Sequence, residues 1–159
     1  MILSLLVCGK LKAGPETELV RDYLLRAKRQ GRSLGVTDVI CKELSLAKGT
    51  SKAAGNLAAF GAVGNGAKRV VLDETGTQMS TEQFANTLNQ WREQGVPEIC
   101  LMVGPADGWD KPIGKDADII LGLGKMTWPH KLVHVLAAEQ IYRALSLTTG
   151  SPYHRGTPS

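Results

Sequence analysis

The three histidines of the chain, His130, His134 and His154, all fall within the last 30 residues, so the side chains that exchange protons near neutral pH are concentrated there. His154 stands in Ser151-Pro152-Tyr153-His154-Arg155, which places an aromatic ring, an imidazole and a guanidinium within three residues. An ordinary frayed terminus is the alternative reading of that tail. Ahead of it, Leu121-Gly122-Leu123-Gly124-Lys125-Met126-Thr127-Trp128-Pro129-His130 leaves an apolar strand, crosses a loop and opens a helix at Thr127, with Pro129 in its first turn. Such a loop can wrap a flat, neutral ring such as adenine with backbone groups and with Met126 and Trp128.

Other familiar sites fail on the residues at their key positions. Gly9-Lys10-Leu11-Lys12-Ala13-Gly14 has the glycine spacing of a P-loop, but Pro15 and Glu16 stand where a lysine and a hydroxyl must meet phosphate and magnesium. Gly61-Ala62-Val63-Gly64-Asn65-Gly66 follows a helix and leads into a strand, the wrong order for a dinucleotide fingerprint, and reads as a turn. His130 and His134 share a helical face, yet Lys131 replaces the glutamate of a zinc protease and no third ligand is evident, so no metal is expected. Gly-x-Ser-x-Gly is absent. Cys8, Cys41 and Cys100 lie far apart in apolar runs and read as buried, reduced thiols.

The elements that must position these residues alternate. Strands are predicted at Ile2–Cys8, Val36–Glu43, Lys68–Asp73, Glu98–Val103 and Asp118–Leu123. Helices are predicted at Pro15–Gln30, Ser51–Val63, Thr81–Gln94, Lys111–Lys115 and Pro129–Leu147. Pro15 suits a first helical turn, Ser80 with Gln83 makes a capping box, and Gly95 suits a C-terminal stop. This alternation predicts an α/β fold, a mostly parallel sheet with helices on both faces. Ligands of such sheets bind beyond the carboxyl ends of the strands, which singles out segments 9–14, 73–76, 104–109 and 122–127. The last helix is apolar on more than one side, so it needs a second cover, either a second copy of the chain or loops of its own.

The 159 residues suit one domain over 1–159. No apolar run reaches the ~18 residues of a membrane span, and Met1–Gly9 lacks a basic leader, so a cytoplasmic protein with no membrane partner is expected. The net charge of +4 is uneven: residues 1–52 carry 10 Lys/Arg and 5 Asp/Glu, residues 53–110 carry 3 and 7, and residues 111–159 carry 6 and 3. If the fold joins the two basic ends, they form a face suited to a polyanion such as RNA; a solvated surface is the alternative reading of the charge.

The combination of Leu72-Asp73-Glu74-Thr75-Gly76, Val103-Gly104-Pro105-Ala106-Asp107-Gly108, Thr127-Trp128-Pro129-His130, Ala138-Glu139-Gln140-Ile141-Tyr142-Arg143-Ala144 and Pro152-Tyr153-His154-Arg155 resembles the ribosomal RNA large-subunit methyltransferase H family. The likeness covers essentially the whole chain. It implies a SPOUT-type fold with a C-terminal trefoil knot, which connection rules alone argue against. It further implies a homodimer that uses S-adenosylmethionine to methylate N3 of a pseudouridine in helix 69 of 23S rRNA in the ribosome. Cofactor contacts then fall on Leu72, Gly104, Leu123, Gly124, Lys125, Met126, Thr127 and Trp128. Pseudouridine N3 holds its proton at neutral pH, so transfer needs a base and nearby cations. His154 is the expected base and His130 its rival, with Arg143 and Arg155 as base or phosphate contacts and Tyr142 as a positioning group.

Two residues depart from the family pattern. Pro105 stands where a second glycine is usual, removing an amide donor, and His134 stands where an arginine is usual, which predicts weaker or more pH-dependent RNA engagement than in relatives with arginine. Two other readings explain less. A non-catalytic RNA-binding module accounts only for the charge and predicts no affinity for S-adenosylmethionine. A small nucleotide- or flavin-binding domain accounts only for the loops, and with flavin predicts a coloured protein.

Overall fold

The computed structural model describes residues 1–155, with Arg155 described by its backbone alone. The strands are β1 (Ile2–Cys8), β2 (Asp38–Leu44), β3 (Lys68–Gln78), β4 (Glu98–Val103) and β5 (Ile119–Gly122). The helices are α1 (Pro15–Gly31), α2 (Lys52–Gly61), α3 (Thr81–Glu93), α4 (His130–Thr148) and the single turn α5 (Pro152–Arg155). All four strand pairings are parallel, in the order β2-β1-β4-β3-β5.

Alternation along the strands divides the core into two layers. Leu3, Leu5, Val7, Val70, Leu72, Leu101 and Val103 belong to the layer filled by α1, α3 and α4. Leu6, Val71, Cys100 and Met102 belong to the other, closed by Ala59 of α2, by Val63 just beyond it and by Trp109 and Ile113 from the loop after β4. Helices therefore cover both faces, as the strand and helix alternation predicts. The cysteines are free thiols; Cys100 is buried, Cys8 and Cys41 are half-buried, and burial pushes each up to about 11.

Local chemistry explains the helix ends. Ser80 and Gln83 form the predicted capping box around the start of α3, with bonds of 3.1 and 2.8 Å. Ser51 caps α2 through Ala54 N–H. Gly95, with φ +77°, turns the chain after α3, and the next amide, of Val96, donates to Trp91 O.

Four expectations are corrected by the geometry. β2 begins at Asp38 because the amides of Val36 and Thr37 already donate to Gly31 O and Met1 O. Residues 111–115 form no helix: Gly114 adopts φ +89° and Ile113 is drawn into the second core layer. α4 begins at His130, not Thr127, with Pro129 as its extended N-cap. β3 runs past Asp73 to Gln78 because, after a detour, Thr77 and Gln78 rejoin β5 at Leu121 and Gly122. At that junction a Cβ on Gly76 would lie 2.6 Å from the Leu121 carbonyl carbon, and one on Gly122 would lie 2.8 Å from Gly76 O, so both positions need glycine.

α4 is covered twice by its own chain, by α1 and by α3. The α1 stripe of Thr17, Val20, Leu24, Ala27 and Gly31 is buried. What stays uncovered is the first turn of α4, where Leu132 is 39% exposed, and the loop before it, where Met126 is 75% and Trp128 42% exposed. No helix of the described residues is long and apolar enough to cross a membrane.

Candidate functional site

A cavity of about 680 Å³ opens beyond the carboxyl ends of β3, β4 and β5, within the size range of small-molecule sites. Leu72, Gly104, Leu123, Gly124, Met126, Thr127 and Trp128 all line it. Lys125, grouped with them from the sequence, is exposed and lies off the lining.

The cavity is built by a pinned loop. The Trp109 indole N–H donates to Leu72 O at 2.9 Å, tying the loop after β4 to the end of β3. Gly104 lies against that indole so closely that a Cβ would sit 2.8 Å from Cε2. Asn56 of α2 makes two bonds to the Asp110 backbone, at 2.9 and 3.1 Å, and Lys52 Nζ donates to Asp107 O at 3.0 Å. Trp128 folds back so that its N–H donates to Leu123 O at 3.1 Å. Trp109 and Asn56 are supports that the sequence reading assigned no role. An aromatic inside a glycine-bearing loop was the available signal for the first, and nothing local pointed to the second.

The lining is amphipathic. Leu72, Val103, Leu121 and Leu123 are apolar, while Asp73, Glu74, Asp107 and Asp110 bring four carboxylates against Lys52 and Lys111. Burial alone would raise the Asp73 carboxyl, but bonds from the Thr75 amide and hydroxyl and from Lys111 at 3.2 Å outweigh it and hold Asp73 below the usual carboxylate range. A ligand with one flat apolar part and one cationic part suits such walls. His130 also lines the cavity, and burial lowers its imidazole, so the ring is neutral and can accept a proton at pH 7.

A second cluster surrounds His154. Arg143 binds Glu139 through Nε at 2.7 Å and Nη2 at 2.6 Å, and the Tyr153 hydroxyl donates to the same carboxylate oxygen at 3.1 Å. The guanidinium lies 4.8 Å from the Tyr153 ring centre, and Tyr142 packs on Tyr153 at 4.5 Å. Burial would lower Arg143, but the Glu139 bonds overcome it and raise it further. Burial, Tyr23 and Glu139 together raise Tyr153, which stays protonated.

His154 sits between two partners, Arg143 Nη1 at 3.3 Å from Nδ1 and Glu82 at 3.0 Å from Nε2. A guanidinium can only donate, so Nδ1 of the neutral ring is the acceptor and Nε2 carries the proton toward Glu82. Glu82, in the first turn of α3, is held below the usual carboxylate range by a helix-terminal amide, His154 and Ser80. Over its described residues the tail is thus a bonded helical turn. Glu82 and Glu139 escaped the sequence reading; Glu82 is 72 residues from its partner His154. Arg155 ends α5, and its side chain lies outside the described residues.

Within one chain the two groups stand apart. His130 lines the cavity, whereas Arg143 is 13 positions further along α4, about 20 Å away at ~1.5 Å per residue. His134 is 7% exposed, and burial with the nearby His130 ring lowers it to about 4. It is therefore neutral from pH 6 to 8, so its own titration cannot make RNA engagement pH-dependent there, which removes the pH-dependent alternative of the expectation drawn from its departure. The Pro105 departure costs the loop no visible bond, since Gly108 N–H donates to Pro105 O and the loop is anchored elsewhere. Among the described residues no group of three or more His, Cys, Asp or Glu is placed to hold a metal ion.

Comparison with known proteins places these sites in a family. Residues 1–154 match the family described as "Predicted SPOUT methyltransferase". Ribosomal RNA large subunit methyltransferase H of Dinoroseobacter shibae is 44% identical over 155 residues, covering 98% of this chain and 99% of the relative. The protein of the same name from Roseobacter denitrificans is 45% identical over 157 residues, and that from Methylocella silvestris 41% over 159, with the same coverage. With its parallel sheet, its cavity at the strand ends and this full-length likeness, the chain belongs to the SPOUT methyltransferases, in the ribosomal RNA large subunit methyltransferase H family, whose fold carries the trefoil knot.

Proposed function

We propose that this single domain methylates N3 of a pseudouridine in helix 69 of 23S rRNA within the ribosome, using S-adenosylmethionine. The observation that carries the reading is that the ends of β3, β4 and β5 meet in one cavity with apolar walls and an excess of carboxylates. Those walls fit the cofactor: adenine against Leu72, Leu123 and the 126–128 loop, and the cationic sulfonium and ammonium near Asp73 and Asp107. When bound, it supplies an electrophilic methyl group.

The residues of the chain supply the rest. The N3 proton must leave for a base and the negative charge left behind must be met by cations. His154 takes the proton at Nδ1 once Arg143 turns from that nitrogen to the developing anion, while Glu82 holds Nε2–H and fixes the tautomer. Tyr142 and Tyr153 stack and position. His130, neutral and on the cavity wall, is the competing base. Because about 20 Å of α4 separates the tail cluster from the cavity of its own chain, the active unit is a homodimer in which the tail of one copy meets the cavity of the other. The exposed Met126, Trp128 and Leu132 at the cavity rim supply apolar surface for that pairing.

The test is methyl transfer from labelled S-adenosylmethionine to 70S ribosomes, isolated large subunits and naked rRNA, with the modified nucleotide mapped. Label on pseudouridine N3 is expected; no transfer to any of the three overturns the function. The His154→Ala protein should bind cofactor normally and transfer nothing, and unchanged turnover would transfer the base role to His130.

A further inference from the structure

Beside the large cavity lies a smaller one of about 260 Å³ for which the reaction above has no use. His130 and Ala106 border both, so the two cavities share a wall. Its rim brings the basic N-terminal and C-terminal thirds of the chain together: Lys10 and Lys12 come from the loop after β1, and Lys131 from the first turn of α4. All three are exposed, and none makes an ion pair among the described residues. Glu16 is the one carboxylate in the lining.

The lysines project from a fixed backbone. Gly9 N–H donates to Leu44 O at 2.7 Å, Leu11 N–H to Glu43 Oε1 at 3.0 Å, and the Thr17 hydroxyl to Lys12 O. Three cations held together against a single carboxylate, Glu16, repel one another, a cost that a further anion removes.

The inner wall carries the second observation. His134 lines the cavity, is 7% exposed, and its Nε2 is buried without a hydrogen-bond partner among the described residues. A buried polar atom left unpaired costs about 1–3 kcal/mol, so natural structures rarely keep one without a use. With its proton on Nε2 the neutral ring offers an N–H donor, which matches a phosphate oxygen in a lining of three lysines.

We propose that this second cavity is a phosphate subsite for the RNA backbone, with Lys10, Lys12 and Lys131 around the phosphate and the His134 imidazole as inner donor. It rests on the RNA-methylation reading above and adds where the nucleotide chain is gripped, one residue's width from the methyl-donor cavity. A phosphate there fixes the register of the strand relative to the reacting base without reading its sequence.

The test compares wild type with the K10A/K12A/K131A triple variant, and with H134Q and H134L. Binding to a 23S rRNA fragment is measured across a salt series, and S-adenosylmethionine affinity by calorimetry. Loss of one phosphate contact lowers the slope of log K against log salt by about 0.7–0.9, and the triple variant should also bind RNA roughly tenfold more weakly at unchanged cofactor affinity. H134Q, which keeps a donor at the same reach, should retain RNA affinity, and H134L should lose several-fold while remaining folded. Unchanged RNA affinity and slope in the triple variant overturn the subsite. Weakened cofactor binding with normal RNA binding also overturns it, assigning the cavity to the cofactor's carboxylate. The two readings fail separately: wild type that binds RNA with the predicted slope change in the variants but transfers no methyl group overturns the proposed function and supports the subsite.

Discussion

Gly104→Ala is the substitution for which the geometry predicts the sharpest effect. Gly104 directly follows β4, and its added Cβ would stand 2.8, 2.9 and 3.0 Å from Trp109 Cε2, Nε1 and Cδ2. Carbon atoms pack at about 3.5–4.0 Å, so the indole must retreat by roughly 0.7 Å or more. It has little room to do so, because Trp109 is 4% exposed and packs in the second core layer against Phe60 at 6.1 Å. Retreat also breaks the 2.9 Å bond from the indole to Leu72 O, leaving a buried carbonyl short of its partner. Overpacking costs about 1–3 kcal/mol and the lost bond about 1 kcal/mol, so about 2–4 kcal/mol is expected. At about 2–4 °C per kcal/mol for a chain of this size, the melting temperature should fall by roughly 5–15 °C. Thermal unfolding by circular dichroism measures that, and calorimetry on the folded variant should show weaker S-adenosylmethionine binding, since both Gly104 and Leu72 line the cavity. A variant that melts within about 1 °C of wild type and binds cofactor equally would refute the claim that Gly104 and Trp109 together set the cavity floor.

Two further outcomes follow from local chemistry. Ser80→Ala removes the acceptor of the α3 capping box and should cost about 1 kcal/mol, seen as a melting point lower by about 2–4 °C. His134 is lowered from an ordinary 6.5 to about 4, so between those values the unfolded chain holds a proton that the folded chain does not. The stability this neutral ring supports is complete above pH 6.5 and is lost as pH falls toward about 4, up to about 3 kcal/mol. Denaturant titrations at pH 7 and pH 4.5 should show a steeper acid loss in wild type than in His134→Leu, and equal losses would place the ring in a solvated setting.

What the sequence made legible was whatever depends on neighbours in the chain. The Ser80–Gln83 box, Pro15 at the start of α1 and the Gly95 stop are contained within a few residues, and each is where the pattern predicts. The segments beyond the strand ends were legible too, because parallel α/β sheets present ligands there whatever their side chains. The detour and return of β3 was not, since the second pairing joins Thr77 to Leu121 across 44 positions and depends on two glycines whose need is set by each other. Residues 111–115 looked helical only while Ile113 had no core to enter. The contacts of His154 with Glu82 and of Trp109 with Leu72 are likewise products of the fold, and no spacing along the chain announces them.

α4 carries His130 near its start and Arg143 near its end, and so acts as a ruler as well as a wall. One residue inserted between them would move everything beyond it by ~1.5 Å and turn it by about 100°, carrying Arg143 and the α5 turn with His154 out of register with α1 and with Glu82 of α3. Correcting the turn would take three or four added residues, and the length error would then reach about 5 Å. The count of residues from 130 to 143 is therefore constrained, and differences in chain length among relatives should collect elsewhere, in open segments such as 45–51 between β2 and α2.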